Sequence, residues 1–262
     1  MEGLFSHRIH AENIAFKHAR GTSDRSGKEF HIYHELILFL EGDAEFISEE
    51  LHMRVKPETL IVIPRETYHQ MVIHGDQERY YRCVLQFDGV EDAKEMVSRC
   101  LQHTFAVEAD PQIRYLFQKM TDAAKSETPH GQQIVKAVLI LLLDALMSKK
   151  EIPNESHPQN ETVRLAVEYI NQNLGKPLTV QEIAQACSTS PSSLAHIFKK
   201  EMYCSVYKFI IKKRLISAHH RIAAGEAATV VSVECGFPDY SGFYKQYKKA
   251  FGLSPSQKSG AS

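Results

Sequence analysis

The chain has 262 residues, 43% hydrophobic and 24% charged, with a formal net charge of −1. These proportions give a folded chain with core enough for one large or two ordinary domains, and exclude a collagen-like, low-complexity or disordered polymer. The near-zero total conceals an asymmetry: residues 1–159 hold 18 Lys and Arg against 25 Asp and Glu, a net −7, while residues 160–262 hold 13 against 7, a net +6.

The C-terminal part is therefore the one that an anionic polymer would choose. Five cysteines, at 83, 100, 187, 204 and 235, are odd in number and lack a Cys-x-x-Cys spacing, which points to reduced thiols and away from a disulfide framework or zinc site. Residues 1–8 lack the apolar centre of a signal peptide. The most apolar run, residues 134–147, is interrupted by Lys136 and Asp144 and falls short of the roughly 20 residues that span a bilayer. A cytoplasmic protein without a membrane segment is expected.

Residues 1–28 are polar and weakly patterned. Strand-like runs follow at residues 31–40, 43–47, 52–55, 59–63, 69–73 and 80–87, separated by the turn signals Glu41-Gly42, Lys56-Pro57, Pro64-Arg65 and Gly75-Asp76. Short, closely spaced strands of this kind build a sandwich or barrel. Alternation puts His31, Tyr33, Glu35, Ile37 and Phe39 on one strand face, and Ile32, His34, Leu36 and Leu38 on the other. The set His31-x-x-x-Glu35, Glu41-Gly42, Lys56-Pro57-x-x-Leu60-x-x-Ile63-Pro64 and His69 resembles a small cupin barrel. In such a barrel His31 and Glu35 point inward together, and His69 stands where cupin enzymes place a further metal ligand.

Eleven of the 14 histidines lie in this half, and three readings of them compete. A metal would need three or four convergent ligands, and the full cupin ligand pattern is missing, with Glu29 and Glu66 standing where a histidine and a glycine are usual. A polar effector pocket would use His31, Tyr33, Glu35 and His69 to hydrogen-bond a small molecule. Ordinary hydrogen-bonded barrel histidines are the third reading. No metal and no cofactor are assigned.

From Val90 the period turns helical, over residues 90–100, 111–125 and 131–149. The last is apolar nearly all round, so it needs cover on two sides, one of which a second copy of the chain could supply. Residues 149–161, KKEIPNESHPQNE, are polar with two prolines and read as a linker.

The C-terminal part repeats one short pattern. In the first copy residues 178–186 precede the turn Ser188-Thr189-Ser190 and a helix from Pro191 to Lys200. Thr179 with Glu182 forms a capping box, and Ser190-Pro191 is an N-cap with proline at the first helical position. The second copy runs from Val230 to Cys235, turns at Gly236-Phe237-Pro238 and restarts at Asp239, with Phe243, Tyr247 and Phe251 on one face and Gly252 as its stop. Each copy is a helix-turn-helix, whose second helix can enter a major groove. Between them, residues 206–224 form a basic helix with Lys208, Lys212, Lys213, Arg214 and Arg221. At 1.5 Å per residue it spans roughly 28 Å, close to the approximately 34 Å of one DNA turn.

The run Leu194-x-x-Ile197-Phe198-Lys199-Lys200-Glu201, the pair Arg214-Leu215, Glu234-Cys235-Gly236-Phe237, and Phe243, Lys248, Phe251-Gly252-x-Ser254-Pro255 resemble the AraC type of bacterial transcription regulators. The likeness covers residues 162–255 and is most specific in its second half. The chain departs from that family at Ser188 and Tyr203, where glycine is usual, at Ser232, where alanine is usual, and after Pro255, where a Tyr-Arg pair is missing. A non-glycine residue in a left-handed position costs on the order of 1 kcal/mol.

These readings combine into an α+β two-domain chain. Residues 1–150 form a cupin-like β-barrel with helices, 151–161 the linker, and 162–262 an all-α double helix-turn-helix. Bases are read from the outer face of a recognition helix, while lysines hold phosphates. In the first reader that face carries Ser192, Ser193, Ala195, His196, Lys199 and Lys200; in the second it carries Tyr240, Ser241, Gly242, Lys245, Lys248 and Lys249. The resemblance implies an effector-controlled, homodimeric regulator of transcription whose partners are double-stranded DNA, a small molecule such as a sugar, and RNA polymerase. The alternatives are a cupin metalloenzyme, an isomerase or dioxygenase with a helical appendage, and a protein-interaction module.

Overall fold

The computed structural model of the chain describes residues 5–11, 13–21, 26–29, 33–65, 67–88, 90–126, 130–152 and 160–256. They divide into two units, Met1–Ser156 and His157–Ser262. The expected linker falls mainly on residues 153–159, outside the described residues.

In the first unit, alternating side chains produce two antiparallel sheets. One has the order β1 (Phe5–Ala11), β2 (Ile14–Arg20), β9 (Tyr81–Phe87), β4 (His34–Glu41), β7 (Thr59–Ile63), β10 (Phe105–Glu108). The other has the order β3 (Ser26–Glu29), β8 (His69–Ile73), β5 (Ala44–Ser48), β6 (His52–Val55). Between the sheets pack Ile37, Phe39, Ile61 and Ile63 from the first and Phe46, Met53, Met71 and Ile73 from the second. The opposite face of the first sheet, with Phe16, Leu36, Leu38, Val62 and Leu85, packs on α1 (Lys94–Cys100), α2 (Pro111–Ser126) and α3 (Gly131–Leu146). Each fully buried large side chain in these layers contributes about 2 kcal/mol of transfer free energy.

Three sequence expectations change. Residues 1–28, read as unpatterned, contain the seven-residue strands β1 and β2. Their helix-facing side includes Ile9, Ile14 and Phe16, but their other side carries Lys17 between Ala15 and Ala19, so large apolar side chains recur on one face only. The strand expected from His31 begins at His34, and His31 lies outside the described residues. Residues 90–100 are a 3₁₀ turn, Glu91–Ala93, followed by the short α1. Apolar α3 finds most of its cover within the unit: Val135, Leu139, Leu142 and Leu143 are fully buried, while Leu141 is 51% exposed.

The second unit consists of α4 (Glu161–Gln172), α5 (Val180–Ala186), α6 (Pro191–Met202), α7 (Val206–Ala223), α8 (Ala228–Glu234) and α9 (Tyr240–Phe251). The caps read from sequence are present. Thr179 and Glu182 form the reciprocal capping box of α5, Ser190 accepts from the Ser193 amide with Pro191 at the first helical position, and Asp239 accepts from the Gly242 amide. Ser188 and Tyr203 both take positive φ, 53° and 50°, so this chain bears the left-handed strain that glycine would avoid.

Long helix α7 carries the interaction that unites the unit. The buried Arg214 guanidinium donates from Nε to the Leu174 carbonyl (2.9 Å), from Nη2 to the Lys176 carbonyl (2.6 Å) and from Nη1 to the Gly236 carbonyl (2.7 Å). The loop after α4 is thereby tied to the turn between α8 and α9. Gly236 has φ +82°, and a Cβ there would stand 2.8 Å from both the Arg214 guanidinium and the Leu174 carbonyl oxygen. Burial lowers the Arg214 pKa, yet guanidinium keeps its charge in proteins. Tyr247 Oη and His219 Nδ1 lie 2.6 Å apart between α9 and α7; burial pushes the phenol up to about 12, so it stays protonated.

Arg214→Met should remove three charge-assisted bonds and leave three inward carbonyls without their donor, costing about 3–5 kcal/mol. Thermal unfolding of the helical unit reads this directly, and a loss below 1 kcal/mol would contradict the clamp. A second prediction concerns His18, which is 2% exposed and whose Nε2 lies 2.6 Å from Tyr81 Oη. Burial, with help from Lys125 and His7, lowers its pKa from 6.5 to about 4. The unfolded chain binds this proton first, so the contribution is complete above pH 6.5 and is lost as pH falls towards 4, on the order of 3 kcal/mol. Unfolding midpoints between pH 7 and 4 should fall further in the wild type than in His18→Gln; equal falls would contradict the assignment.

Candidate nucleic-acid interface and effector cleft

Both recognition helices present the faces expected from their sequence. In α6, Leu194 and Phe198 are fully buried, and Phe198 meets Phe209 of α7 edge-on at 5.4 Å. This leaves Ser192, Ser193, Ala195, His196, Lys199 and Lys200 exposed. The Ser190 hydroxyl donates to Ser193 Oγ (2.8 Å) and lies 3.1 Å from Ser192 Oγ, so the cap also orders the first polar residues of the outer face. In α9, Phe243 and Tyr247 are buried, while Tyr240, Ser241, Lys245, Lys248 and Lys249 are exposed. Gly242 is half-buried: its amide donates to Asp239 Oδ1 at 2.7 Å, and a Cβ there would stand 3.2 Å from Asp239 Oδ2. Its place is in the cap, where a side chain would crowd the capping carboxylate.

In the sheet unit, the structure brings together two of the four residues expected in an effector pocket. Glu35 and His69 are 0% and 1% exposed, with His69 Nε2 3.0 Å from Glu35 Oε2. His69 Nδ1 donates to the Thr67 carbonyl at 3.2 Å, which fixes the ring with Nε2 towards the carboxylate. Tyr33 precedes β4 and is 40% exposed; His31 lies outside the described residues.

Gln86 links the pair to the half-buried part of the inner face. Gln86 Nε2 donates to Glu35 Oε1 at 2.8 Å, which turns its amide carbonyl away from the carboxylate. Strand registers place the inward residues in rows: His10, Ala15, Gln86 and Glu35 in one, and Arg8, Lys17, Val84 and Ile37 in the next. Ala19, Arg82 and Phe39 share a third row. Strands β2 and β9 are interior to their sheet, yet Ala15, Lys17, Val84 and Gln86 are all only half-buried. The inner face is thus buried over β4 and β7 and only half-buried at Ala15, Lys17, Val84 and Gln86 of β2 and β9, which makes this stretch the candidate cleft.

Lys17, Arg82 and Gln86 did not stand out in the sequence. The available signal was the alternation Ile14, Phe16, His18 against Ala15, Lys17, Ala19, with two small residues flanking a cation. Elsewhere, Glu45 meets His52 Nε2 at 2.8 Å and His74 Nε2 at 3.3 Å, but no group of three or more His, Cys, Asp or Glu among the described residues is placed to hold a metal ion. The five cysteines are free and buried, and burial raises the pKa of Cys83 to about 12, which suits packing and not thiolate chemistry. Among the described residues, no helix is long and apolar enough to cross a membrane.

Residues 13–143 match the family described as AraC-like ligand binding domain, and residues 183–259 match a helix-turn-helix domain family. The HTH-type transcriptional regulator YobQ of Bacillus subtilis is 24% identical over 86% of this chain and 85% of its own length. The arabinose operon regulatory protein of Escherichia coli is 28% identical over 56% of this chain and 51% of its own. The chain thus spans about half the length of that relative, as it does of the Escherichia coli regulator YpdC. Among solved structures, ToxT from Vibrio cholerae aligns over 97% of both chains at 9% identity, with a TM-score of 0.41. Both matching families belong to regulators, and nothing in the comparisons supports the cupin-enzyme alternative. With its cupin-like N-terminal half and paired helix-turn-helix motifs, the chain belongs to the AraC family of transcription regulators.

Proposed function

We propose that this regulator binds double-stranded DNA through α6 and α9 together, under the control of a small polar effector, such as a sugar, held in the cleft of the sheet unit. The observation that carries the reading is the Arg214 clamp, which fixes the two readers against one helix. A docking module without a nucleic acid has no need for two recognition faces in fixed relation. In this reading Lys199, Lys200, Lys248 and Lys249 hold phosphates. Ser192, Ser193, Ala195, His196, Tyr240, Ser241 and Lys245 face base edges, with Ala195 suited to a thymine methyl and Lys245 to guanine. Small residues dominate the outer face of α6, so the first reader relies on shape and apolar contact more than on hydrogen bonds. The regulatory output then passes to RNA polymerase.

The second element of the proposal is a homodimer through α3. Its support is the exposed Leu141, flanked by exposed Ala137 and half-buried Ile134 and Ile140, an apolar stripe beside the exposed Lys136 and Asp144.

Fluorescence anisotropy of the full chain on duplexes from its own upstream region tests the DNA reading. Lys199→Ala or Lys248→Ala should weaken binding to all sequences about equally and lower the salt slope by about 1, while Lys245→Ala should also change base preference. DNA binding by residues 1–150 but not by residues 161–262 would contradict it. For the dimer, Leu141→Glu should sediment as a monomer, and a wild type that is monomeric at micromolar concentration and on DNA would refute the interface.

A further inference from the structure

The chain that leaves α3 does not pass straight into the connection to the readers. It first returns along β10, the outer strand of the six-stranded sheet. Lys149 pairs with Asp110, which also accepts from the Ile113 amide of α2 at 3.0 Å. The Ile152 amide donates to the Ala106 carbonyl at 2.7 Å, and Glu151 lies 3.0 Å from His103 Nε2. The segment thus starts at Asp110, beyond the end of β10, and finishes at Ala106 within it and His103 ahead of it, antiparallel to the strand. An edge strand needs cover, which accounts for the backbone bond. It does not account for the Ile152 side chain, which packs half-buried against the core between the sheets. Ala106, whose carbonyl Ile152 holds, closes one inward row: Val84 on β9, Ile37 on β4, Ile61 on β7 and Ala106 on β10. Val84 belongs to the half-buried stretch of the inner face, whereas Ile37, Ile61 and Ala106 are buried. Close-packed side chains transmit displacement, so this row joins the candidate cleft to the segment. The attachment itself is weak. Its ion pairs lie at the surface, where such pairs contribute little, and one backbone bond and one half-buried side chain remain, which places the segment at the low-stability end of local opening.

Resting on the DNA-binding homodimer proposed above, we infer that residues 149–152 are a strap that sets the reach of the readers. Docked on β10, the strap starts the connection to α4 at Ile152, nine positions before Glu161. Released, it starts the connection at Leu146, the end of α3, fifteen positions before Glu161. Six more extended residues add up to about 20 Å per chain. Two copies together gain about 40 Å, more than the roughly 34 Å of one DNA turn. The released dimer therefore spans half-sites one turn further apart, a span that docking withholds. Ile152 is a positioning residue, acting through where the connection begins, and the row from Val84 ties its docking to the packing of the inner face.

Hydrogen exchange and fluorescence anisotropy on the full chain test the strap. The Ile152 amide should exchange at least tenfold more slowly than an unprotected amide. Ile61→Ala, which opens the row, should speed that exchange at least fivefold more than Leu60→Ala, its neighbour on β7 that faces the helices. Ile61→Val should act in the same direction if the alanine variant does not fold. On a duplex from the chain's own upstream region, wild type and Ile152→Gly should bind alike. With one turn, about 10 base pairs, inserted between the half-sites, wild type should lose at least tenfold in affinity and Ile152→Gly less than threefold. Unprotected exchange at Ile152 in the wild type, equal effects of Ile61→Ala and Leu60→Ala, or equal losses on the lengthened duplex overturn the proposal. A wild type that binds the parent duplex as a monomer overturns the reach together with the dimer reading. Equal losses with dimeric binding overturn the reach alone, so the two failures are distinguishable.

Discussion

One buried guanidinium holds the helical unit together. Three carbonyls, of Leu174, Lys176 and Gly236, converge on Arg214. The planar fork of arginine suits such a set in a way that the single ammonium of lysine would not. The requirement spreads outward. Gly236 must lack a side chain because the guanidinium occupies its Cβ position, and Gly175 must lack one because a Cβ would stand 2.6 Å from the Glu234 carbonyl oxygen. The backbone approach that gives the second reader its sharp turn is thus the approach that locks it to the first. The strain at Ser188 and Tyr203 lies outside this clamp, in the first reader, where the chain tolerates left-handed non-glycine residues.

The sheet unit follows a different logic. Its first sheet is packed on both sides along β4 and β7 and on one side along β2 and β9, so a single sheet is both core and cleft. Apolar rows cover the helices on one face, while the other face changes from apolar to polar within a few strands. A buried polar pair, Glu35 with His69, sits at that change. Its cost is offset by hydrogen bonds from Gln86 and to Thr67, as buried polar groups require.

Much of this was legible in the residues. Capping boxes and N-cap serines act locally, so Thr179, Ser190 and Asp239 fixed helix starts without knowledge of the fold. The faces of α6 and α9 followed from Phe198, Phe243 and Tyr247 at helical spacing. Glu35 and Ile37 shared a face as alternation demands. The misses have one physical cause. Strands β1 and β2 escaped notice because their inner side faces a cleft and therefore lacks the large apolar residues by which strands are recognised. The same fact hid Lys17, Gln86 and Arg82. The role of Arg214 was hidden as well: in sequence it is one cation on a basic helix, and only packing shows that it turns inward while Lys208 and Lys213 remain outside or half-buried.

The central claim is that two recognition helices, held in fixed relation by α7 and Arg214, read DNA as a pair. Methylation-interference footprinting of the wild type on its own upstream DNA tests it most directly. The account predicts two major-groove patches per bound chain, on one face of the duplex and about one helical turn, roughly 10 base pairs, apart. In Arg214→Met the patch contacted by α9 should lose its interference signal while that contacted by α6 persists. A single patch, or two patches unchanged by Arg214→Met, would contradict it.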